Sequence, residues 1–139
     1  MNYLLDTCVV SELIKPKSDT KVISWIEQTK EQQLYLSVLT LGEIEKGIAK
    51  LPLSSRKSNL KTWLEQDLML RFENRILNLT PKIARYWGSL QGELEKQGKA
   101  MAIVDGLIAT TALTHNFTLV TRNVKDVERS GVSILNPWE

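Results

Sequence analysis

Residues 101–121, MAIVDGLIATTALTHNFTLVT, decide the fold class of this chain. Met101–His115 is the most apolar helical stretch of the sequence, which predicts a central helix. Phe117–Thr121 has the aromatic and β-branched residues of a buried strand. A helix that leads directly into a buried strand is typical of a parallel sheet covered by helices on both faces. The stretch therefore predicts an α/β fold.

The rest of the chain repeats this alternation of strands and helices. It contains no repeat, low-complexity segment or linker, so we expect a single domain over residues 1–139. Further strands are predicted at residues 3–5, 34–38, 75–79 and 133–135. Further helices are predicted at residues 8–14, around 22–26, at 40–50 and 54–72, and from 81 to about 98.

The composition is that of a water-soluble globular protein, with 42% hydrophobic and 24% charged residues. No apolar stretch approaches the roughly 20 residues that a membrane-spanning helix needs. The first residues lack the pattern of a signal peptide, because Asp6 interrupts the opening apolar run. A single cysteine, Cys8, excludes an internal disulfide. We expect a cytoplasmic protein that does not enter a membrane.

Three acidic residues stand where the predicted elements would bring them together. Asp6 ends the first strand, Glu43 lies near the start of a helix that follows the second strand, and Asp105 interrupts the apolar central helix. In parallel sheets, ligands bind at the carboxyl ends of the strands. Converging carboxylates repel one another by about 3 kcal/mol per pair at roughly 5 Å and an effective dielectric of about 20. A divalent metal would reverse this repulsion, so the pattern predicts a metal-dependent enzyme.

Each of these residues also has a purely structural interpretation. Asp6 is placed to cap the next helix. Thr40 and Glu43 match the capping box, in which a threonine and a glutamate three residues later satisfy free backbone N–H groups. Asp105 could face solvent. Asn123, which follows a strand and offers an uncharged oxygen ligand, is also a common turn residue.

The balance of charge is compatible with a polyanionic substrate. The net charge is +2, but setting aside the three acidic candidates leaves 13 of 16 acidic residues against 18 basic ones, a surplus of +5. Lys46, Arg122 and Lys125 are candidates for contacts with phosphates, although such a residue is more often an ordinary surface charge. An oxygen-only ligand set without histidine or thiolate favours Mg²⁺ over zinc.

Four segments together resemble the PIN domain, and within it the VapC toxins of the FitB-like group. They are Leu4–Thr7 (LLDT), Ser37–Glu43 (SVLTLGE), Asp105–Ala112 (DGLIATTA) and Val120–Asn123 (VTRN). The resemblance extends over the whole chain. It implies an α/β/α sandwich around a central parallel sheet, Mg²⁺- or Mn²⁺-dependent endoribonuclease activity, and neutralisation by a VapB-like protein antitoxin.

The resemblance also implies roles for individual residues. The acidic positions of the family correspond to Asp6, Glu43 and Asp105, and its fourth position, often Asp, corresponds to Asn123. This departure removes one charge and weakens the case for a second metal. Thr7 and Thr121 would support the site, Thr121 by holding metal-bound water or a phosphate. RNA as substrate rests on the resemblance alone.

The resemblance favours a homodimer and a higher assembly with the antitoxin. Two other functions remain open from the residues: a phosphoacceptor receiver domain, and a PIN-like scaffold that binds nucleic acid without cutting it. A receiver needs an acceptor Asp after a middle strand and a Lys after a late one. Here those places hold Asn78 and Thr121–Arg122, which disfavours that function.

Overall fold

The computed structural model describes residues 1–139 as strands and helices alternating around one sheet. The strands are β1 (Tyr3–Leu5), β2 (Leu34–Ser37), β3 (Ile76–Leu77), β4 (Thr118–Val120) and β5 (Ile134–Leu135). The helices are α1 (Thr7–Glu12), α2 (Thr20–Gln28), α3 (Val38–Ala49), α4 (Ser55–Thr62), α5 (Met69–Arg71), α6 (Pro81–Lys96), α7 (Ile103–His115) and α8 (Val124–Val127). A π-helical segment, Trp63–Leu68, joins α4 to α5, and short 3₁₀ turns lie at Glu31–Gln33 and Glu128–Ser130.

All five strands are parallel and follow the order β3-β2-β1-β4-β5. The first strand of the chain is therefore the central strand of the sheet. Tyr3 is in register with Leu34 on one side and with Thr118 on the other, and Leu5 is in register with Val120. The prediction of a parallel sheet is confirmed, and the carboxyl ends of all strands lie at one edge.

The core has two halves, one on each face of the sheet. Successive strand residues point to opposite faces, and β1 follows this rule. Leu5 packs with buried residues of α1 to α3 and of the helical segment that follows, whereas Leu4 packs with α7 and α8. Helix α6 packs on α7. This arrangement is the predicted α/β/α sandwich.

Two predicted helix starts are wrong, and both errors concern the proposed site. Helix α3 begins at Val38 instead of Thr40, because Ser37 caps it by accepting a hydrogen bond from the Leu39 N–H at 3.0 Å. Helix α7 begins at Ile103 instead of Met101. The side chain of Gln91 binds both backbone groups of Met101, with distances of 2.6 Å and 3.0 Å. Those groups are consequently not part of the helix.

Other boundaries agree more closely with the sequence. Thr80 caps α6, Pro81 occupies the first turn, and Gly98 has a positive φ of 69° just beyond the helix end. The helix predicted over residues 54–72 is a continuous helical segment, but its middle is π-helical. None of the helices has the length and apolar character that a bilayer crossing requires.

Candidate functional site

Asp6 and Thr121 lie side by side at the carboxyl edge of the sheet. Each follows a strand, β1 and β4 respectively, and the Asp6 N–H continues the sheet by donating to the Val120 carbonyl at 2.9 Å. The Thr121 hydroxyl donates to Asp6 Oδ2 at 2.7 Å. Both side chains are buried, with exposures of 7% for Asp6 and 0% for Thr121. The parallel sheet thus joins two predicted site residues that are far apart in sequence.

The second carboxylate oxygen of Asp6 has a structural role as well. Oδ1 accepts a hydrogen bond from the Thr7 N–H at 2.8 Å and caps α1. The capping interpretation of Asp6 is therefore correct. The same carboxylate also lies at the carboxyl edge of the sheet, where its other oxygen binds Thr121. Cys8 Sγ lies 3.7 Å from Asp6 Oδ2. Burial, and then the charge of Asp6, raise the pKa of the Cys8 thiol, so it remains protonated and is unsuited to act as a nucleophile.

Glu43 is connected to the same edge through Thr7. The Thr7 hydroxyl donates to Glu43 Oε1 at 2.5 Å. Because α3 begins at Val38, Glu43 lies one turn further along the helix than the capping box requires, and that interpretation is wrong. Thr40 is instead fully buried, and its hydroxyl lies 3.2 Å from that of Thr7. The sequence analysis assigned Thr40 only to a cap and missed this contact.

Asp105 lies in the first turn of α7, where the helix dipole favours an acid. It is half-buried, and burial is the main reason why its pKa is raised. The negative charges of Asp6, Asp126 and Glu43 raise the pKa further. No positive group lowers it. Asp105 therefore shares an electrostatic field with the other two acidic candidates and also with Asp126 of α8.

The fit of this set to a metal ion can be judged from its donors and its charge. No three His, Cys, Asp or Glu side chains are close enough to hold an ion among themselves. Mg²⁺, however, keeps several waters and uses only one or two protein carboxylates. An all-oxygen set with unbalanced negative charge suits such an ion. The residues therefore fit a partly hydrated Mg²⁺ or Mn²⁺.

The remaining candidates lie at the rim. The Asn123 N–H donates to the Thr121 hydroxyl at 3.0 Å, while its exposed side chain makes no capping hydrogen bond. The Arg122 guanidinium stacks over the Trp138 ring, 5.3 Å from its centroid. Lys46 and Lys125 are exposed and form no ion pair. The structure therefore leaves the two lysines available for phosphate contacts, whereas Arg122 already has an aromatic partner.

A cleft of about 240 Å³ opens next to Thr7 and Glu43. Its walls come from α1, α3 and the helical segment that begins with α4, and six of its eleven lining residues are hydrophobic. The apolar lining includes Ile44 and Trp63, and Arg56 supplies a positive charge. An apolar segment of another molecule bound here would lie directly against the Glu43 end of the site.

The fold and the site define an α/β protein with an acidic centre at the carboxyl edge of a five-stranded parallel sheet. A family model described as the PIN domain matches residues 3–129. The chain belongs to the PIN domain family, which confirms the resemblance of the four sequence segments. The receiver-domain alternative is left without support.

Relatives of this chain include named toxins. It is 35% identical to VapC ribonuclease Y4jK of Sinorhizobium fredii, over 98% of this chain and 97% of the relative. It is 33% identical to Toxin FitB of Neisseria gonorrhoeae, over 97% of both chains. Among solved structures, FitAcB from Neisseria gonorrhoeae matches with a TM-score of 0.93 and 33% identity, over 99% of both chains.

Proposed function

We propose that this chain is a metal-dependent endoribonuclease and the toxin of a VapBC-type toxin–antitoxin pair. Support comes from the family, from relatives named VapC ribonuclease and Toxin FitB, and from similar solved structures described as FitAcB and as VapBC2 bound to a DNA fragment from their promoter. The observation that carries the proposal is the hydrogen-bonded link from Asp6 through Thr7 to Glu43, with Asp105 in the same electrostatic field. We further propose that it acts in the cytoplasm as a homodimer.

The site residues divide into two groups by role. Asp6 and Asp105 would hold Mg²⁺ or Mn²⁺ directly, while Glu43 and Asn123 would act directly or through water. When bound, such an ion supplies a polarised water at neutral pH and positive charge beside the attacked phosphate. Thr121 and Thr7 hold the carboxylates of Asp6 and Glu43 in place.

Basic residues at the rim would bind the flanking phosphates. Lys46 lies on α3, the helix that carries Glu43, and Lys125 lies on α8 just after Asn123. Both side chains are exposed. Arg122 would join them only if it moved away from Trp138. We therefore assign the larger share of phosphate binding to the two lysines.

The experiment is cleavage of RNA by the purified protein with Mg²⁺ or Mn²⁺, compared with the variants Asp6→Asn and Asp105→Asn. Both should lose cleavage while remaining folded. Asp67→Asn is a matched control, because Asp67 is an exposed acid of the π-helical segment outside the site. Unchanged cleavage by both site variants would refute the assignment. RNA binding without any cleavage by the unmodified protein would instead favour the non-catalytic scaffold.

The cleft beside Glu43 is our proposed docking place for the antitoxin. An apolar segment of the antitoxin seated there would cover Thr7 and Glu43 and block access to the site. Gly47 lines this cleft, and a Cβ built on it meets no atom within 4 Å. Gly47→Phe should therefore occupy the cleft without disturbing the core. It should weaken antitoxin binding, and RNA cleavage without antitoxin is measured in parallel to show whether the ring itself restricts access to Glu43.

Gly92→Phe is the control for this experiment. Gly92 also lies within a helix, α6, and has equally open surroundings, but it does not line the cleft. Affinity for the antitoxin is measured by calorimetry with a purified VapB-like antitoxin as the titrant. If Gly47→Phe and Gly92→Phe bind the antitoxin with equal affinity, the cleft is not the docking place. The nuclease assignment does not depend on this result.

A further inference from the structure

Thr40 makes a contact that no capping or packing role explains. It lies in the first turn of α3, and its side chain is fully buried. Its hydroxyl forms one hydrogen bond, with the Thr7 hydroxyl at 3.2 Å. Two other buried threonines within helices behave differently: Thr110 and Thr111 in α7 donate to carbonyls of their own helix. The Thr40 hydroxyl instead forms its hydrogen bond with a residue of a different helix, Thr7 of α1.

The direction of this hydrogen bond follows from the proton count. The Thr7 hydroxyl has a single proton, and the nearest charged acceptor is Glu43 Oε1 at 2.5 Å. Hydrogen bonds to a carboxylate are shorter and stronger than those between hydroxyls. The Thr7 proton therefore goes to Glu43. The heavy-atom geometry of the 3.2 Å contact favours Thr7 as the donor, but its only proton is already bound to Glu43. The proton left between the two threonines is that of Thr40, so we assign Thr40 as the donor to Thr7.

We infer that Thr40 is a positioning residue for the acidic site, acting on Glu43 through Thr7. This inference rests on the proposed nuclease function. The Thr40 hydroxyl selects the Thr7 rotamer whose oxygen faces Glu43, since the other staggered rotamers would leave a buried donor without a partner. Two hydroxyls in series also polarise each other, which strengthens the final bond to the carboxylate.

The geometry of α3 explains why one threonine can serve this role. Thr40 and Glu43 are three residues apart, so they lie on the same face of the helix. Thr7 is the first residue of α1 and contacts both. Glu43 is thereby held at two points. Its backbone belongs to α3, and its carboxylate binds the Thr7 hydroxyl, which Thr40 of the same helix positions.

The test is the affinity for Mn²⁺, measured by the electron paramagnetic resonance of the free ion, together with RNA cleavage. Thr40→Val keeps the shape of the side chain and removes the hydroxyl. We expect the Mn²⁺ dissociation constant to rise about tenfold, the lower end of the range for residues that orient metal ligands. Thr40→Ser, which keeps the hydroxyl, should restore binding. Thr111→Val is the matched control and should bind like the unmodified protein.

A double-variant cycle separates positioning from packing. If Thr40 acts only through Thr7, adding Thr40→Val to Thr7→Val should cause no further loss of Mn²⁺ affinity. The same loss in both backgrounds, or unchanged affinity in Thr40→Val alone, would overturn the inference. Thr40→Ala is measured in parallel, so that a folding defect of one variant does not decide the outcome.

Asp6→Asn distinguishes this inference from the function on which it rests. Loss of Mn²⁺ binding and cleavage in Asp6→Asn, with neither lost in Thr40→Val, would refute only the role of Thr40. Retention of both in Asp6→Asn would refute the site itself.

Discussion

Thr121→Val tests how strongly the fold holds the Asp6 carboxylate. The Thr121 hydroxyl is the only hydroxyl donor to Asp6 Oδ2, and the other neighbour of that oxygen is the weak donor Cys8 Sγ at 3.7 Å. Both members of the 2.7 Å hydrogen bond are buried. A hydrogen bond to a charged group contributes about 1.5–3 kcal/mol. The Asn123 N–H also loses its acceptor, but this residue is exposed and water replaces the bond.

We therefore expect Thr121→Val to lower the free energy of unfolding by about 1.5–3 kcal/mol in the absence of metal. Urea unfolding followed by circular dichroism measures this difference. Thr111→Val is the control, because its buried hydroxyl donates at 2.7 Å to a helix carbonyl, the neutral acceptor Leu107 O. Its loss should be about 1 kcal/mol or less.

A loss in Thr121→Val no larger than in Thr111→Val would refute the reasoning. A second comparison examines the charge itself. In the Asp6→Asn background the acceptor is neutral, so Thr121→Val should cost only about 0.5–1.5 kcal/mol. An undiminished loss in that background would mean that the effect comes from packing around Thr121.

Three further predictions concern stability. Gly106→Ala places a Cβ 2.9 Å from Trp87 Nε1, so the resulting strain of about 1–3 kcal/mol should exceed the gain of about 0.5–1 kcal/mol from removing a helical glycine. Gly92→Ala, which has open surroundings, should show only the gain in urea unfolding. Asp105 has a raised pKa in the folded state, so its ionisation destabilises the metal-free fold as pH rises from about 3.8. Without metal, Asp105→Asn should therefore be more stable than the unmodified protein at neutral pH. This gain in stability should become smaller in acid, where Asp105 is protonated. Glu31 has a pKa lowered chiefly by its hydrogen bond to Arg71, so Glu31→Gln should cost at most about 1 kcal/mol at pH 7. This loss should fade as the pH falls from 4.5 through the lowered pKa of Glu31.

The pairing of Asp6 with Thr121 could be predicted from the sequence, because it depends on a robust rule. Both residues follow apolar strands, and parallel strands bring their carboxyl ends to one edge. The burial of Asp105 could also be predicted in part, because this acid interrupts an apolar run. These are local patterns with one dominant structural solution.

The connections of Glu43 could not be predicted in the same way. Ser37 and Thr40 are both good helix caps, and nothing in the local sequence selects between them. In the structure Ser37 caps the helix, and the Thr40 hydroxyl instead contacts Thr7, which is 33 residues away in sequence. Likewise, Met101 fails to start α7 because Gln91 binds its backbone from another helix. Such tertiary contacts override local propensity and leave no local signal.

The central position of β1 has a consequence for the synthesis of the protein. Of the five strands, β1 leaves the ribosome before the others, yet one of its two neighbours, β4, begins at residue 118. Contacts between such distant segments form late, after nearly the whole chain is available. A polypeptide released early by interrupted translation therefore lacks the partner of its first strand and the hydroxyl beside Asp6. Under our assignment, a copy that ends before β4 should lack nuclease activity.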